Sequence, residues 1–217
     1  MPGKSNRMAI SRAQLGTRQR EASRAAIVAA AMRVFERKMP DAAVIDDFIT
    51  EAGVARGTFY NHFKDVDAVQ LAVATKLSTE FNESIRRACN GIADPAERIA
   101  IAVRHYLRGA AEYPHWGWVI VRIGFHGPLG PLMRDSIRPD IEAGLEQGRF
   151  VPMSPQNGVD LVMGTGLTAM QTLLEGRAED RYATDVVATI LRGLGLTVED
   201  AAQVAVRPLP PFHKSVG

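Results

Sequence analysis

Seven residues in one short stretch carry groups suited to the surface of a duplex nucleic acid: Arg56, Gly57, Thr58, Tyr60, Asn61, His62 and Lys64. Arginine and lysine neutralise phosphate oxygens, hydroxyl and imidazole groups hydrogen-bond to them, and an asparagine amide matches the donor–acceptor pattern of a base edge. On a helical wheel of about 100° per residue, Gly57, Thr58, Tyr60 and Asn61 fall away from Phe59 and Phe63. Those two phenylalanines are four apart and share the opposite face, which makes them core. Arg56 occupies the first turn and reaches outward past the helix start. For Tyr60 and His62, on the flank of the wheel, a packing or capping role stays open beside phosphate binding.

Such a face needs a short helix held against a second one. Ile45, Phe48, Ile49 and Ala52 recur at three- and four-residue steps and give one apolar stripe. Gly53 follows, where the helix must stop and a residue free to take positive φ is favoured. The span 45–63 therefore reads as a helix-turn-helix. An earlier helix is expected over 23–38, with Ile27, Ala31, Val34 and Phe35 inward, ended by Met39-Pro40-Asp41 because proline disfavours a helical residue before it.

From Ile27 to about Val69 the chain resembles the tetracycline-repressor (TetR) family of bacterial transcriptional regulators. The resemblance rests on Ala31-Met32-Arg33-Val34-Phe35-Glu36, on Asp46-Asp47-Phe48-Ile49, and above all on Ala52-Gly53-Val54-Ala55-Arg56-Gly57-Thr58-Phe59-Tyr60-Asn61-His62-Phe63-Lys64-Asp65. It implies a homodimer whose second motif helices enter the major groove at the two halves of a palindromic operator on double-stranded DNA. Carried over, Arg56, Gly57 and Thr58 approach bases or phosphates, Tyr60 and His62 bind phosphates, Asn61 meets a base edge, and Lys64 lies near the backbone. Three positions depart from the family. Met39-Pro40 replaces a usual glycine, Val44 stands where a threonine caps the second helix and touches phosphate, and Val66 replaces a usual lysine.

Charge is distributed as a DNA-binding head would require. Residues 1–64 carry 11 Lys and Arg against 6 Asp and Glu, a net of +5, and the remainder nets −3. Residues 1–20 hold Lys4, Arg7, Arg12, Arg18 and Arg20 with no acid. They read as a flexible arm, either a solvated leader or a strand of cations that follows phosphates. No apolar run approaches the ~18 residues that span a membrane, and the lone Cys89 cannot form an internal disulfide, which fits a reducing cytoplasm.

The remaining chain reads as helices over 67–89, 95–112, 114–125, 131–147, 155–176 and 181–196, and a mobile Pro-rich tail over 207–217. The expected architecture is all-α with about nine helices: a DNA-binding domain over 21–66 and a larger ligand-binding and dimerisation domain over 67–206. Between residues 105 and 126 aromatic and basic groups concentrate. They either pack as core or line an apolar pocket with polar anchors. The family resemblance favours the pocket, with His105, Trp116, Trp118, Arg122 and Phe125 as ligand-binding candidates for a small-molecule effector. Gly164 and Gly166 suggest close helix approach. With Val162, Met163, Leu167 and Met170 on that helix and Val186, Val187, Ile190, Leu191 and Leu194 on the next, they suggest a dimer face, with monomer core as the competing explanation.

His105, His115 and His126 match no compact ligand spacing, so no metal is expected, and no cofactor. The chain lacks a nucleophile elbow and a phosphate loop, which argues against an enzyme. The function these readings imply is a ligand-responsive regulator, in the family's usual mode a repressor. Two other readings remain: an architectural DNA binder without a sensor, and a small-molecule binder with a decayed DNA head.

Overall fold

The computed structural model describes residues 12–126 and 129–211. Lys4 and Arg7 of the basic leader and the tail beyond Pro211 lie outside the described residues, as do the side chains of Arg12, Phe125 and His126. Among the described residues there are ten α-helices and no strand: α1 (Arg12–Phe35), α2 (Ile45–Ala52), α3 (Arg56–Tyr60), α4 (Val66–Ala88), α5 (Pro95–Glu112), α6 (Pro114–His126), α7 (Leu129–Glu146), α8 (Pro155–Leu174), α9 (Tyr182–Gly193) and α10 (Val198–Ala205). The all-α expectation holds. Two ends differ from it. α1 starts at Arg12, so Arg18 and Arg20 are helical residues and not part of an arm. α10 was not foreseen, although Thr197 caps it by accepting the Asp200 N–H at 3.2 Å and Glu199 and Asp200 favour its first turn.

The chain divides into two compact units, one reaching to Val73 and the other beginning at Ala74. The first is built around phenylalanines. Phe35 meets Phe48 edge-on at 5.6 Å, and Phe48 stacks on Phe59 at 6.4 Å. Phe48 and Phe59 have no solvent exposure, and Ile27 and Ala31 of α1 close the same core. Truncating one such ring costs about 3–5 kcal/mol. After α1 the chain turns through a short 3-10 segment at Pro40–Ala42, and the buried Gln70 side chain donates to the Pro40 carbonyl at 3.0 Å. That bond gives the buried Gln70 amide a partner and adds to the bond the Pro40 carbonyl accepts from the Ala43 N–H.

The second unit packs α5 and α8 through Ile99, Val103 and Leu107 on one side and Val159, Val162 and Leu167 on the other. Val186, Val187, Ile190 and Leu191 of α9 and Leu194 beyond it, read above as half of a dimer face, are buried in this chain's own core. Their apolar stripe is satisfied within one chain. A Cβ at Gly164 or Gly166 would meet nothing within 4 Å, so neither glycine is required for close helix approach within this chain.

One arginine ties together two helix starts. Asp94 caps α5 by accepting the Ala96 N–H at 3.0 Å, and Arg149 donates to Asp94 at 3.0 Å while also pairing with Asp200 on α10. The segment after α10 is pinned as well. The Arg207 carbonyl accepts from Arg104 at 2.6 Å, and its guanidinium pairs with Asp94 and Glu97. The tail expected to be mobile from Arg207 is therefore held at its first residue.

Candidate nucleic-acid interface and ligand cavity

In the first unit α2 ends at Gly53, which takes φ 64° and ψ 33° and returns its N–H to Ile49 and Thr50 carbonyls. This left-handed turn carries the chain into α3, whose Phe59 anchors it to the core while Arg56, Gly57 and Tyr60 remain exposed. Asn61 and Lys64 are exposed too; Thr58 and His62 are half-buried. A Cβ at Gly57 would meet open space, so nothing within the unit occupies the approach to this helix.

Three of the seven residues already have polar side-chain partners, Lys64 through the adjacent Asp65 at 3.5 Å. Arg56 pairs with Asp46 of α2, both well exposed, so a phosphate would have to displace a carboxylate. His62 shares a 2.7 Å hydrogen bond with Ser23 of α1. Desolvation, then Arg20 and Arg24, hold its pKa below the usual histidine value, so the ring is neutral at neutral pH and would meet a phosphate by hydrogen bonding instead of by charge. Here the packing role left open in the sequence is present, and the ring still lies at the edge of the exposed face.

At the start of α2, Val44 occupies the cap position with an extended backbone and offers no acceptor. Asp47 supplies the reciprocal half of a capping box by accepting the Val44 N–H at 3.0 Å. Lys38 donates to the same carboxylate at 2.6 Å, and this bond, with the Val44 N–H, lowers the Asp47 pKa. Arg33 and Arg37 both pair with Glu51 at 2.6 Å, fastening α1 to α2 from the solvent side.

The second unit contains a cavity of about 490 Å³. α4 contributes Asn82, Ile85 and Arg86, and α5 contributes Arg98, Val103 and Tyr106. The opposite walls are Met133 and Asp140 of α7 with Met163, Gly166 and Met170 of α8. Tyr106 donates to Asn82 Oδ1 at 2.7 Å, and burial pushes its phenol pKa up. Arg98 Nε donates to Asp140 Oδ1 at 2.6 Å; burial raises the Asp140 pKa, and Arg98 only partly offsets this. Cys89 also lines the cavity, but burial pushes its thiol up to about 11, which makes it a poor nucleophile.

Of the five ligand candidates named from the sequence, His105, Trp116, Trp118 and Arg122 are not part of this cavity's wall. Trp116 lies in an aromatic cluster, 4.9 Å from Phe81 and 5.9 Å from Tyr106 between ring centroids. His105 is 1% exposed, hydrogen-bonded to the Pro210 backbone, and held neutral chiefly by desolvation. Trp118 is half-buried, Arg122 is exposed, and the Phe125 side chain lies outside the described residues. Sequence reasoning missed Arg98, Asp140 and Asn82. The apolar run Ile99, Val103, Leu107 marked one wall, but no local pattern links Arg98 to an acid 42 residues away. Among the described residues no group of three or more His, Cys, Asp or Glu is placed to hold a metal ion, and no helix is long and apolar enough to cross a membrane.

Comparison with known proteins agrees with this layout. Residues 27–73 match the family described as bacterial regulatory proteins of the tetR family, and residues 94–207 match the tetracyclin repressor-like C-terminal domain. No curated protein matches the sequence significantly. Among solved structures, RolR in complex with the ligand resorcinol is 27% identical, with a TM-score of 0.80 over 91% of this chain and 100% of that one. A TetR-family transcriptional regulator from Pectobacterium atrosepticum is 23% identical, with a TM-score of 0.64 over 92% of this chain and 97% of its own. FadR from Bacillus subtilis in complex with stearoyl-CoA has a TM-score of 0.63 at 14% identity, over 77% of this chain and 97% of its own, a likeness of fold alone. With a helix-turn-helix head and a matching helical C-terminal domain, the chain belongs to the TetR family of bacterial transcriptional regulators.

Proposed function

We propose that this protein is a repressor that binds a palindromic operator as a homodimer and changes its DNA affinity when a small molecule occupies the cavity of its C-terminal unit. The observation that carries the reading is the cavity of about 490 Å³ in a chain that also exposes Arg56, Tyr60, Asn61 and Lys64 at its helix-turn-helix. The cavity is large enough for a compound of the size of resorcinol, the ligand bound by the 27% identical RolR. α4 is the natural lever, because its early residues belong to the first unit while Asn82, Ile85 and Arg86 line the cavity. A ligand that binds one conformation tenfold better supplies at most about 1.4 kcal/mol of coupling, a change of up to tenfold in operator affinity.

Selection of sites from random duplex DNA at near-physiological salt tests the DNA half of the proposal. The expected result is a palindrome with half-sites about 10 bp apart, or a multiple of that spacing. Titrating resorcinol into the complex with the selected duplex tests the ligand half, with release of the DNA as the expected outcome. Recovery of unrelated sequences bound with equal affinity would favour an architectural DNA binder instead.

A further inference from the structure

The polar groups around Asp140 are already committed in a pattern that selects the ligand group they accept, given that the cavity is the effector site as proposed above. Arg98 directs Nε to Asp140 Oδ1 at 2.6 Å and Nη1 to the Ile92 and Ala93 carbonyls at 3.0 Å each. Its charge is thus neutralised by Asp140 and its orientation fixed by the backbone. Asp140 receives Arg98 on one oxygen, and its other oxygen takes no protein hydrogen bond among the described residues. Tyr106 gives its proton to Asn82 at 2.7 Å, and Ser136 gives its own to the Met133 carbonyl at 2.7 Å. Tyr106 and Ser136 therefore present lone pairs toward the space they line, as Asp140 does, and Asp135 adds a second carboxylate to the lining.

A ligand group that meets the α7 wall must bring protons, not negative charge. On that wall an incoming carboxylate would meet Asp135 and Asp140 with Arg98 already neutralised, and like charges at close range oppose binding, whereas Arg86, the other lining arginine, belongs to α4. A hydroxyl donating to Asp140 would make a charge-assisted bond, roughly twice as strong as one between neutral groups. The apolar walls add a second preference. Met133, Met163 and Met170 line the cavity together, and thioethers adapt to and attract the edges of aromatic rings. We propose that the effector is an uncharged, hydroxyl-bearing aromatic compound whose hydroxyl donates to Asp140, the carboxylate being held in place by Arg98 through Ile92 and Ala93.

The test is calorimetric titration of the full-length protein with matched compounds: the neutral phenols resorcinol and catechol, 1,3-dimethoxybenzene, which lacks donors, and the anion 3-hydroxybenzoate. At least one of the two phenols should bind, and tighter than both other compounds by about tenfold or more. Asp140→Asn should weaken the phenol by a similar factor and leave the dimethoxy compound unchanged; if that variant does not fold, the ranking on the wild-type protein still decides. Gly166→Leu separates the site from the ligand class, since Gly166 lines the cavity and a side chain there enters open space. Phenol binding lost in Gly166→Leu supports the cavity as the site; undiminished binding overturns it. Loss in Gly166→Leu combined with equal or tighter wild-type binding of the dimethoxy compound or the anion overturns the ligand class alone, and so does failure of both phenols to bind.

Discussion

Arg56, in the first turn of α3, is ion-paired to Asp46 of α2 with both side chains more than half exposed. The pair contributes little to stability, because water screens it. It occupies a cation that the proposed function assigns to phosphate, however, and puts a carboxylate beside it. Asp46→Asn should raise operator affinity several-fold and steepen the dependence of log K on log salt by about one unit, as one more phosphate contact forms. Binding titrations at several salt concentrations measure both. An unchanged slope would show that Arg56 reaches its phosphate regardless of Asp46.

Val44 leaves the side-chain half of the α2 cap unfilled while Asp47 completes the other half. Val44→Thr would supply a hydroxyl to an unpartnered N–H in the first turn. The expected gain is about 0.5–1 kcal/mol of stability, read from denaturant unfolding. Val44 is 55% exposed, so the substitution has room to act without repacking the core.

Tyr60 and Asn61 are adjacent and both exposed, yet their chemistry differs. Tyr60→Phe removes the hydroxyl proposed to reach phosphate and should weaken binding to all duplexes by a similar factor. Asn61→Ala should instead alter preference at particular base pairs, by about 1–3 kcal/mol at the affected position. Competition between the selected operator and single-substitution duplexes distinguishes them. Uniform loss in both variants would remove Asn61 from the base-reading set.

The acid limit of the second unit should follow the Arg149 cluster. Burial pushes the Asp94 pKa upward, but hydrogen bonds from Arg149 and the Ala96 N–H outweigh it, so the carboxyl titrates below its ordinary 3.8. Asp200 is lowered as well, first by its hydrogen bond from Arg149. Both folded-state values lie under the unfolded ones, so the folded chain binds fewer protons near pH 3.8. Their stabilisation is fully present above that pH and is lost as pH falls through the depressed values. Arg149→Met should therefore destabilise the wild-type fold by about 2 kcal/mol at neutral pH and by less at pH 3. Thermal unfolding across that range checks the convergence.

Much of the DNA-reading head was determined by sequence alone, because its signals are local. Gly53 closes a helix through its own backbone freedom, and Phe59 and Phe63 share a face through four-residue spacing. The exposure of Arg56, Gly57, Tyr60 and Asn61 follows from the same periodicity. The caps at Asp94 and Thr197 are equally local signals, and Thr197 with Asp200 marks α10 plainly. The ligand cavity was decided only by tertiary packing. An aromatic run announces hydrophobic surface without saying what that surface will meet. Trp116 turned to Phe81 and Tyr106, and the stripe of α9 to its own chain's core, while Arg98 and Asp140 came together across 42 residues. Burial of apolar surface is non-directional, so helical spacing shows which residues go inward; the mutual fit of α4, α5, α7 and α8 determines which of them border empty space.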